Sequence, residues 1–291
     1  MLNSPRCIKQ TPLIGTAGWI FPEWKGTFYP YHEKRLLGYY SKVFPFVEVN
    51  TTFYAIPNKD TILSWKEQSS PDFVFSVKMI NQITHWSTSL SEEEQEKTLS
   101  NFFKRVGLLE DKLGAVLLQF PPSFKNNKKN FLFLQKVLNK IISFSKIKFS
   151  IPIEFRSFDW YRDNNVYQLL DSFPEACVVQ SDRFVDKNAD EISLITYIRL
   201  IGDRKLITDK EFGLRKVDRN KDLQYWANYI SGILELKKRI FVIIGNHFSG
   251  HAAIDAIYLA SFLEEKGIKT NVNFPSMFPP AKFHQKSLEE Y

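Results

Sequence analysis

The chain has 291 residues, 44% apolar and 24% charged, an ordinary globular composition that excludes a disordered or low-complexity polymer. That length allows one large domain or two small ones, and a single α/β barrel uses about 250 residues. The net charge of +7 comes from scattered lysines such as Lys125, Lys128, Lys129, Lys237 and Lys238, which read first as a solvated basic surface and only second as a polyanion contact.

Leu13–Trp19 predicts a short strand whose Gly18 lets the backbone turn and leaves Trp19 at the exit. Phe21–Pro30, which carries Trp24, is a ring-rich loop punctuated by Pro and Gly, and long loops in compact domains tend to be functional. Leu36, Leu37 and Tyr40 have helical spacing within Glu33–Val43. Phe46–Tyr54 predicts a second strand that exits through Glu48, Asn50 and Thr52 at period two. A helical segment follows at Lys59–Glu67. Asp72–Lys78 is then the third strand, trailed by Ile83–Trp86, which brings His85 to the same rim.

Ser91 and Glu94 have the spacing of a capping box and open a helix that runs to about Leu109. Gly114–Pro122 predicts the fourth strand, exiting at Gln119 and stopped by Pro121 and Pro122. The amphipathic segment Asn130–Ser143 leads to Ile151–Trp160, a buried strand that ends with Glu154 and Arg156 on one face. An acid and a guanidinium there are costly unless they pair with each other or with a ligand.

Asp163–Asp171 is a short helix and Ala176–Asp182 the sixth strand, exiting at Asp182. Arg183–Ser193 is too polar and short for a full helix. Ile195–Gly202 predicts the seventh strand, with Tyr197 and Arg199 on one face, and Asp222–Lys237 a helix. Arg239–His247 is the eighth strand, exiting at Asn246 and His247, before a closing helix at His251–Lys266. Strands alternating with helices without a linker call for a parallel sheet with right-handed crossovers. Eight such units predict a single α/β domain, a (β/α)₈ TIM-type barrel whose helix after the sixth strand is short or missing. Its core spans about residues 13–266, with a Pro-rich tail at 267–291.

In such a barrel the strand exits converge at one face and carry the chemistry. The expected catalytic groups are Glu48, Glu154, Asp182 and His247, with Glu48 and Glu154 as the proton-transfer pair. Arg156, Arg199 and Lys78 would bind anionic oxygens. Asn50, Gln119, Asn246 and His85 would contact the substrate, and Trp19 and Trp24 would wall the pocket. Two carboxylates beside an aromatic loop also fit a glycosidase. The four acid and imidazole groups could ligate a divalent metal, giving a hydrolase or isomerase. Three cations in the same space oppose that ion, so no cofactor is expected. His247 and His251 lie four apart but lack the His-Glu-x-x-His pattern of a zinc helix.

The loops after strands seven and eight, Gly202–Lys205 and Asn246–His251, would suit a phosphate through Arg199, Arg204 and the amides near Ser249 and Gly250. The alternative is that Ser249 caps the closing helix. No glycine-rich nucleotide loop, Ser-centred elbow or CxxC motif is present. Cys177 sits mid-strand as core. Cys7 and Cys177, far apart and without a leader, read as thiols of a cytoplasmic protein, and no run approaches the roughly 18 apolar residues of a membrane span. The abundant rings, 26 Phe among them, are not interleaved with basic residues as a nucleic-acid stacking platform would be.

Several blocks resemble the YecE-like family, domain of unknown function 72. They are Ile14–Trp19, Phe28–Pro30, Val47–Tyr54, Leu118–Phe124, Glu154–Arg156 with Trp160, and Tyr197–Gly202, in the family's order and over nearly the whole chain. The resemblance implies a TIM-type barrel, a reaction not yet assigned, and recurrent polar positions at Glu48, Asn50, Lys78, Thr84, His85, Gln119, Glu154, Arg156, Asp182, Arg199 and Asn246. The chain departs at His247–Ser249, where the family usually has a second Asn and an acid, and at Trp86, where a basic residue is usual. The resulting expectation is a cytoplasmic enzyme acting on a small anionic molecule by acid/base chemistry. Its rival is a barrel that binds nucleic acid or protein without chemistry.

Overall fold

A computed structural model of the chain describes residues 11–85, 90–144, 148–183 and 193–275. Eight parallel strands close into a barrel in chain order: β1 (Leu13–Ala17), β2 (Phe46–Val49), β3 (Val74–Lys78), β4 (Leu113–Phe120), β5 (Ile151–Phe155), β6 (Ala176–Ser181), β7 (Ile195–Leu200) and β8 (Arg239–Ile244). β8 returns to pair with β1. Both faces of each strand are covered, which is why the segments run nearly continuously apolar. Outside lie α1 (Leu36–Val43), α2 (Lys59–Gln68), the single turn α3 (Asn81–Thr84), α4 (Glu92–Val106), α5 (Lys128–Phe144), α6 (Asn164–Asp171), α7 (Asn220–Ile233) and α8 (Ala252–Glu265).

The local chemistry explains where these elements start and stop. Ser91 accepts from the Glu94 amide while the Glu94 carboxylate accepts from the Ser91 amide, so the capping box of α4 forms. Gly18 takes φ +99°, the turn that ends β1. β2 is shorter than its sequence pattern. The Thr52 hydroxyl donates to the carbonyls of Val49 and Lys78 at 3.1 and 2.7 Å, drawing Thr51–Phe53 into a 3₁₀ turn over the end of β3. β5 likewise stops at Phe155, and Trp160 falls in a 3₁₀ turn, its indole donating to the Phe124 carbonyl.

Inside the barrel, Phe46, Leu117, Val179, Tyr197, Phe241 and Ile243 pack into an apolar plug, with Cys177 buried beside them. The register sets the polar strand ends above that plug. Glu48 lies opposite Ser76, Gln119 opposite Glu154, and Ser181 opposite Arg199. The expected short or missing helix after strand six falls on 184–192, and it lies, like Trp86, Cys7 and the tail beyond 275, outside the described residues. One lysine of the supposed solvated surface is buried: Lys237 donates to the Ser193 carbonyl at 2.5 Å. Among the described residues no helix is long and apolar enough to cross a membrane.

Candidate active site at the barrel mouth

Period-two alternation turns Glu48 of β2 into the lumen, where it is fully buried and accepts four hydrogen bonds. Arg199 of β7 reaches across the barrel and donates through Nε at 3.0 Å and Nη2 at 2.8 Å. Tyr197 donates its hydroxyl at 2.9 Å and Asn50 its amide at 3.1 Å. The Tyr197 hydroxyl also meets Ser76 Oγ at 2.7 Å. Burial and the Glu48 charge raise the Tyr197 phenol well above its ordinary value, so it stays a donor.

The third arm of the Arg199 guanidinium, Nη1, bonds Glu154 of β5. Burial alone would lower the arginine, but Glu154 and Glu48 raise it above its ordinary value. Glu154 also accepts from Gln119 Nε2 at 2.8 Å and from Arg156 Nε at 3.4 Å. Burial would raise its carboxyl. Arg199 and Arg156, with the hydrogen bonds from Arg199 and Gln119, instead hold it below the usual carboxylate range.

Gln119 relays the network to Lys78 of β3, whose Nζ donates to Gln119 Oε1 at 2.6 Å and lies 4.0 Å above the Phe53 ring. Burial and the nearby Arg199 push the Lys78 ammonium down to about 8, against the partial pull of Glu48 and Glu154. His85 packs edge-on to the same Phe53 ring at 4.8 Å, and its Nδ1 meets Thr84 Oγ1 at 2.9 Å. Burial, Lys78 and Arg156 push this imidazole down to about 4. The side chain of Arg156 is 45% exposed, whereas those of Glu154 and Arg199 are 12% and 5% exposed.

Seven of the expected residues therefore form one connected group: Glu48, Asn50, Lys78, Gln119, Glu154, Arg156 and Arg199, with His85 at its edge. The others are turned elsewhere. Asp182 accepts from the amides of Ile201 and Gly202 at 3.3 and 2.7 Å, which fixes the exit of β7. Nδ1 of His247 donates to the Ile207 carbonyl at 2.8 Å, and its Nε2 faces Asp209 at 3.2 Å, so it pins the loop before α7. The acid and imidazole quartet considered for a divalent ion is thus not assembled. Among the described residues no other group of three metal-ligating side chains takes its place.

Trp24 is fully buried. Its indole donates to Asn246 Oδ1 at 3.2 Å and stacks on His251 at 5.3 Å. Asn246 Oδ1 also takes the Ala252 amide at 2.9 Å, joining the aromatic loop to the start of α8. Trp19 packs edge-on to Trp65 at 5.7 Å and lines a groove against α2, not the mouth.

The phosphate site expected around Ser249 and Gly250 is filled by the chain itself. Ser249 is buried and donates to Asp255, which pairs with Arg215 Nε at 2.8 Å. His251, rather than Ser249, caps α8, accepting from the Ile254 amide at 3.4 Å. Arg204 is exposed at the surface.

Sequence reading missed Ser76 and Phe53. Ser76 stands two before Lys78 and was open to the period-two rule. Phe53 was hidden because the pattern extends β2 through it, whereas the turn at Thr52 carries it over Lys78.

The model of the family "Protein of unknown function DUF72" matches residues 13–279. This chain belongs to that family. The UPF0759 protein YunF of Bacillus subtilis (strain 168) is 25% identical over 281 residues, covering 86% of this chain and 94% of YunF. The UPF0759 protein YecE of Escherichia coli (strain K12) is 31% identical over 111 residues, 38% of each chain. A crystal structure of a DUF72 family protein from Thermotoga maritima superposes with a TM-score of 0.71 at 26% identity, covering 88% of this chain and all of that one. A second, from Enterococcus faecalis, gives 0.63 at 24% identity over 78% of this chain and 93% of its own, a likeness of fold. The strands that carry Glu48, Lys78, Gln119, Glu154 and Arg199 all lie within the matched span.

Proposed function

We propose that the barrel mouth of this DUF72 protein is an active site for a small molecule bearing a carboxylate or phosphate, with Arg156 holding the anion and Lys78 moving the proton. The observation that carries this reading is the division of charge. Both carboxylates are tied to Arg199, while among the described residues Lys78 hydrogen-bonds a neutral amide rather than a carboxylate and Arg156 keeps a half-exposed guanidinium. Guanidinium is the side chain best shaped for carboxylate or phosphate oxygens.

The roles expected from sequence therefore change hands. Glu48 has its oxygens occupied by four donors, and Glu154 lies below the usual carboxylate range, so neither suits proton transfer near neutral pH. They orient Arg199, which sets the floor of the site. Lys78, pushed down to about 8, is near the value an acid/base catalyst needs. A cytoplasmic setting, expected from the two-cysteine composition, belongs to the same proposal.

A thermal-shift screen tests it, with inorganic phosphate, small carboxylates, sugar phosphates, nucleotides and short RNA against wild type and Arg156→Ala. A ligand at a hundred times its Kd should stabilise by about 2.7 kcal/mol, well within reach of the method. A small anion that stabilises wild type but not Arg156→Ala is the expected result. Stabilisation by RNA alone, abolished by salt, would move the function to a non-catalytic nucleic-acid-binding barrel.

A further inference from the structure

We infer that Lys78 is a covalent nucleophile, and that the substrate is a carbonyl compound carrying a carboxylate or phosphate, with which Lys78 condenses to an imine; this deepens the anion-site reading above and rests on it. A rim lysine kept for its charge ordinarily reaches solvent or pairs with a carboxylate. Lys78 does neither. It is 9% exposed, and its Nζ is held between Gln119 Oε1 at 2.6 Å and the face of Phe53 at 4.0 Å. The carboxylates of the site, Glu48 and Glu154, bind Arg199, and Glu154 binds Arg156 as well. Burial and two repelling guanidiniums favour the unprotonated amine that can attack, against the pull of Glu48 and Glu154, while the Gln119 acceptor and the Phe53 face hold Nζ in place. With the ammonium pushed down to about 8, about a tenth of it is free amine at pH 7, roughly two orders of magnitude more than for an ordinary surface lysine.

The neighbours supply the other parts. His85 packs against the same Phe53 ring at 4.8 Å and, pushed down to about 4, is neutral at pH 7, so it adds no further positive charge to the surroundings of Lys78. Arg156 offers the exposed cation for the substrate's anionic group. In the step itself the amine attacks the carbonyl carbon, a C–N bond forms, and the carbonyl oxygen takes a proton to give a carbinolamine. The C–O bond then breaks, the oxygen leaves as water with two protons from the former ammonium, and a protonated imine remains on Lys78.

Sodium borohydride supplies a hydride to that imine carbon and fixes it as a secondary amine. The full-length protein is incubated with pyruvate, 2-oxoglutarate, glyoxylate or dihydroxyacetone phosphate, reduced, digested and mapped by mass spectrometry. Parallel thermal shifts with phosphate and acetate report anion binding without a carbonyl. The expected result is an adduct on Lys78 at least ten times more abundant than on any surface lysine. It should be lost in Lys78→Arg and reduced in Arg156→Ala. The carbonyl acids and the phosphorylated ketone separate the two anion classes. Anion-dependent stabilisation with no Lys78 adduct overturns the nucleophile and leaves the anion site standing. Adducts spread evenly over surface lysines overturn it equally, and loss of both signals removes both readings. Because the adduct is located by peptide mass in wild type, a variant that fails to fold does not blunt the test.

Discussion

Burial and the Arg199 and Arg156 guanidiniums push the Lys78 ammonium down to about 8, whereas a lysine in the unfolded chain titrates near 10.4. Between those values the unfolded chain binds the extra proton, so stability rises with pH across that window. The burial cost is fully present below about 8 and gone above the unfolded value. Two pH units correspond to on the order of 3 kcal/mol, at a side chain buried enough to lose little of it to solvent. Lys78→Met removes the titrating group but leaves Gln119 Oε1 without its donor. The variant should therefore gain relative to wild type at pH 7 and lose that relative gain by pH 10, a swing of about 2–3 kcal/mol. Urea unfolding at the two pH values measures it, and a difference between the proteins that does not move with pH would mean that the buried ammonium costs the fold nothing. Destabilisation stored at one residue in this way is a common mark of a site kept for chemistry.

At the scale of elements, the exit of β7 is built by backbone demands rather than by the reaction. Gly202 takes φ +74°, and a Cβ there would stand 2.0 Å from the His247 carbonyl oxygen. The Asp182 carboxylate accepts the two amides at this bend. Gly202→Ala should lose at least about 1–3 kcal/mol from the left-handed conformation and the clash together. Asp182→Ala should lose about 1 kcal/mol, being exposed, and keep the small-anion stabilisation of wild type. Chemical denaturation paired with an anion titration separates these outcomes, and an Asp182→Ala protein that folds normally but no longer binds the anion would return Asp182 to the site. The same elements show what a linear reading can hold. All eight strands were legible, because strands covered on both faces run apolar from end to end. Turns after β2 and β5 were not, because Thr52 bonds the carbonyl of Lys78 and Trp160 that of Phe124, partners far off in sequence. Asp182 and His247 carry the residue types of a site at the positions of a site, and their contacts with the backbone of Gly202 and Ile207 were not legible in the sequence.

Across the whole molecule, closure of the barrel is what lets Arg199 of β7 bridge Glu48 of β2 and Glu154 of β5, strands that are not its sheet neighbours. The lumen is thereby tied shut by a polar strut above the apolar plug, with charged side chains at its rim. The +7 surplus is carried mainly elsewhere, with Lys125, Lys128 and Lys129 exposed where the chain leaves β4 for α5. That segment touches the β5 exit through Lys125 Nζ on Ser157 Oγ at 3.1 Å and the Asn126 amide on Asp159 at 2.8 Å, so its field reaches the mouth. A basic surface of this kind attracts any polyanion, and salt distinguishes that attraction from recognition. A labelled RNA oligonucleotide should bind at 50 mM salt and fall off by 200 mM, with log affinity linear in log salt at a slope of about −0.7 per phosphate neutralised. Replacing Lys128 and Lys129 together by Glu should flatten that slope by roughly the number of contacts removed. Arg156→Ala should leave it within about one unit while abolishing stabilisation by the small anion. Fluorescence anisotropy across the salt series reads both. Were Arg156→Ala instead to abolish oligonucleotide binding outright, the mouth itself would be the polyanion site, and the enzyme reading would give way to a binding barrel.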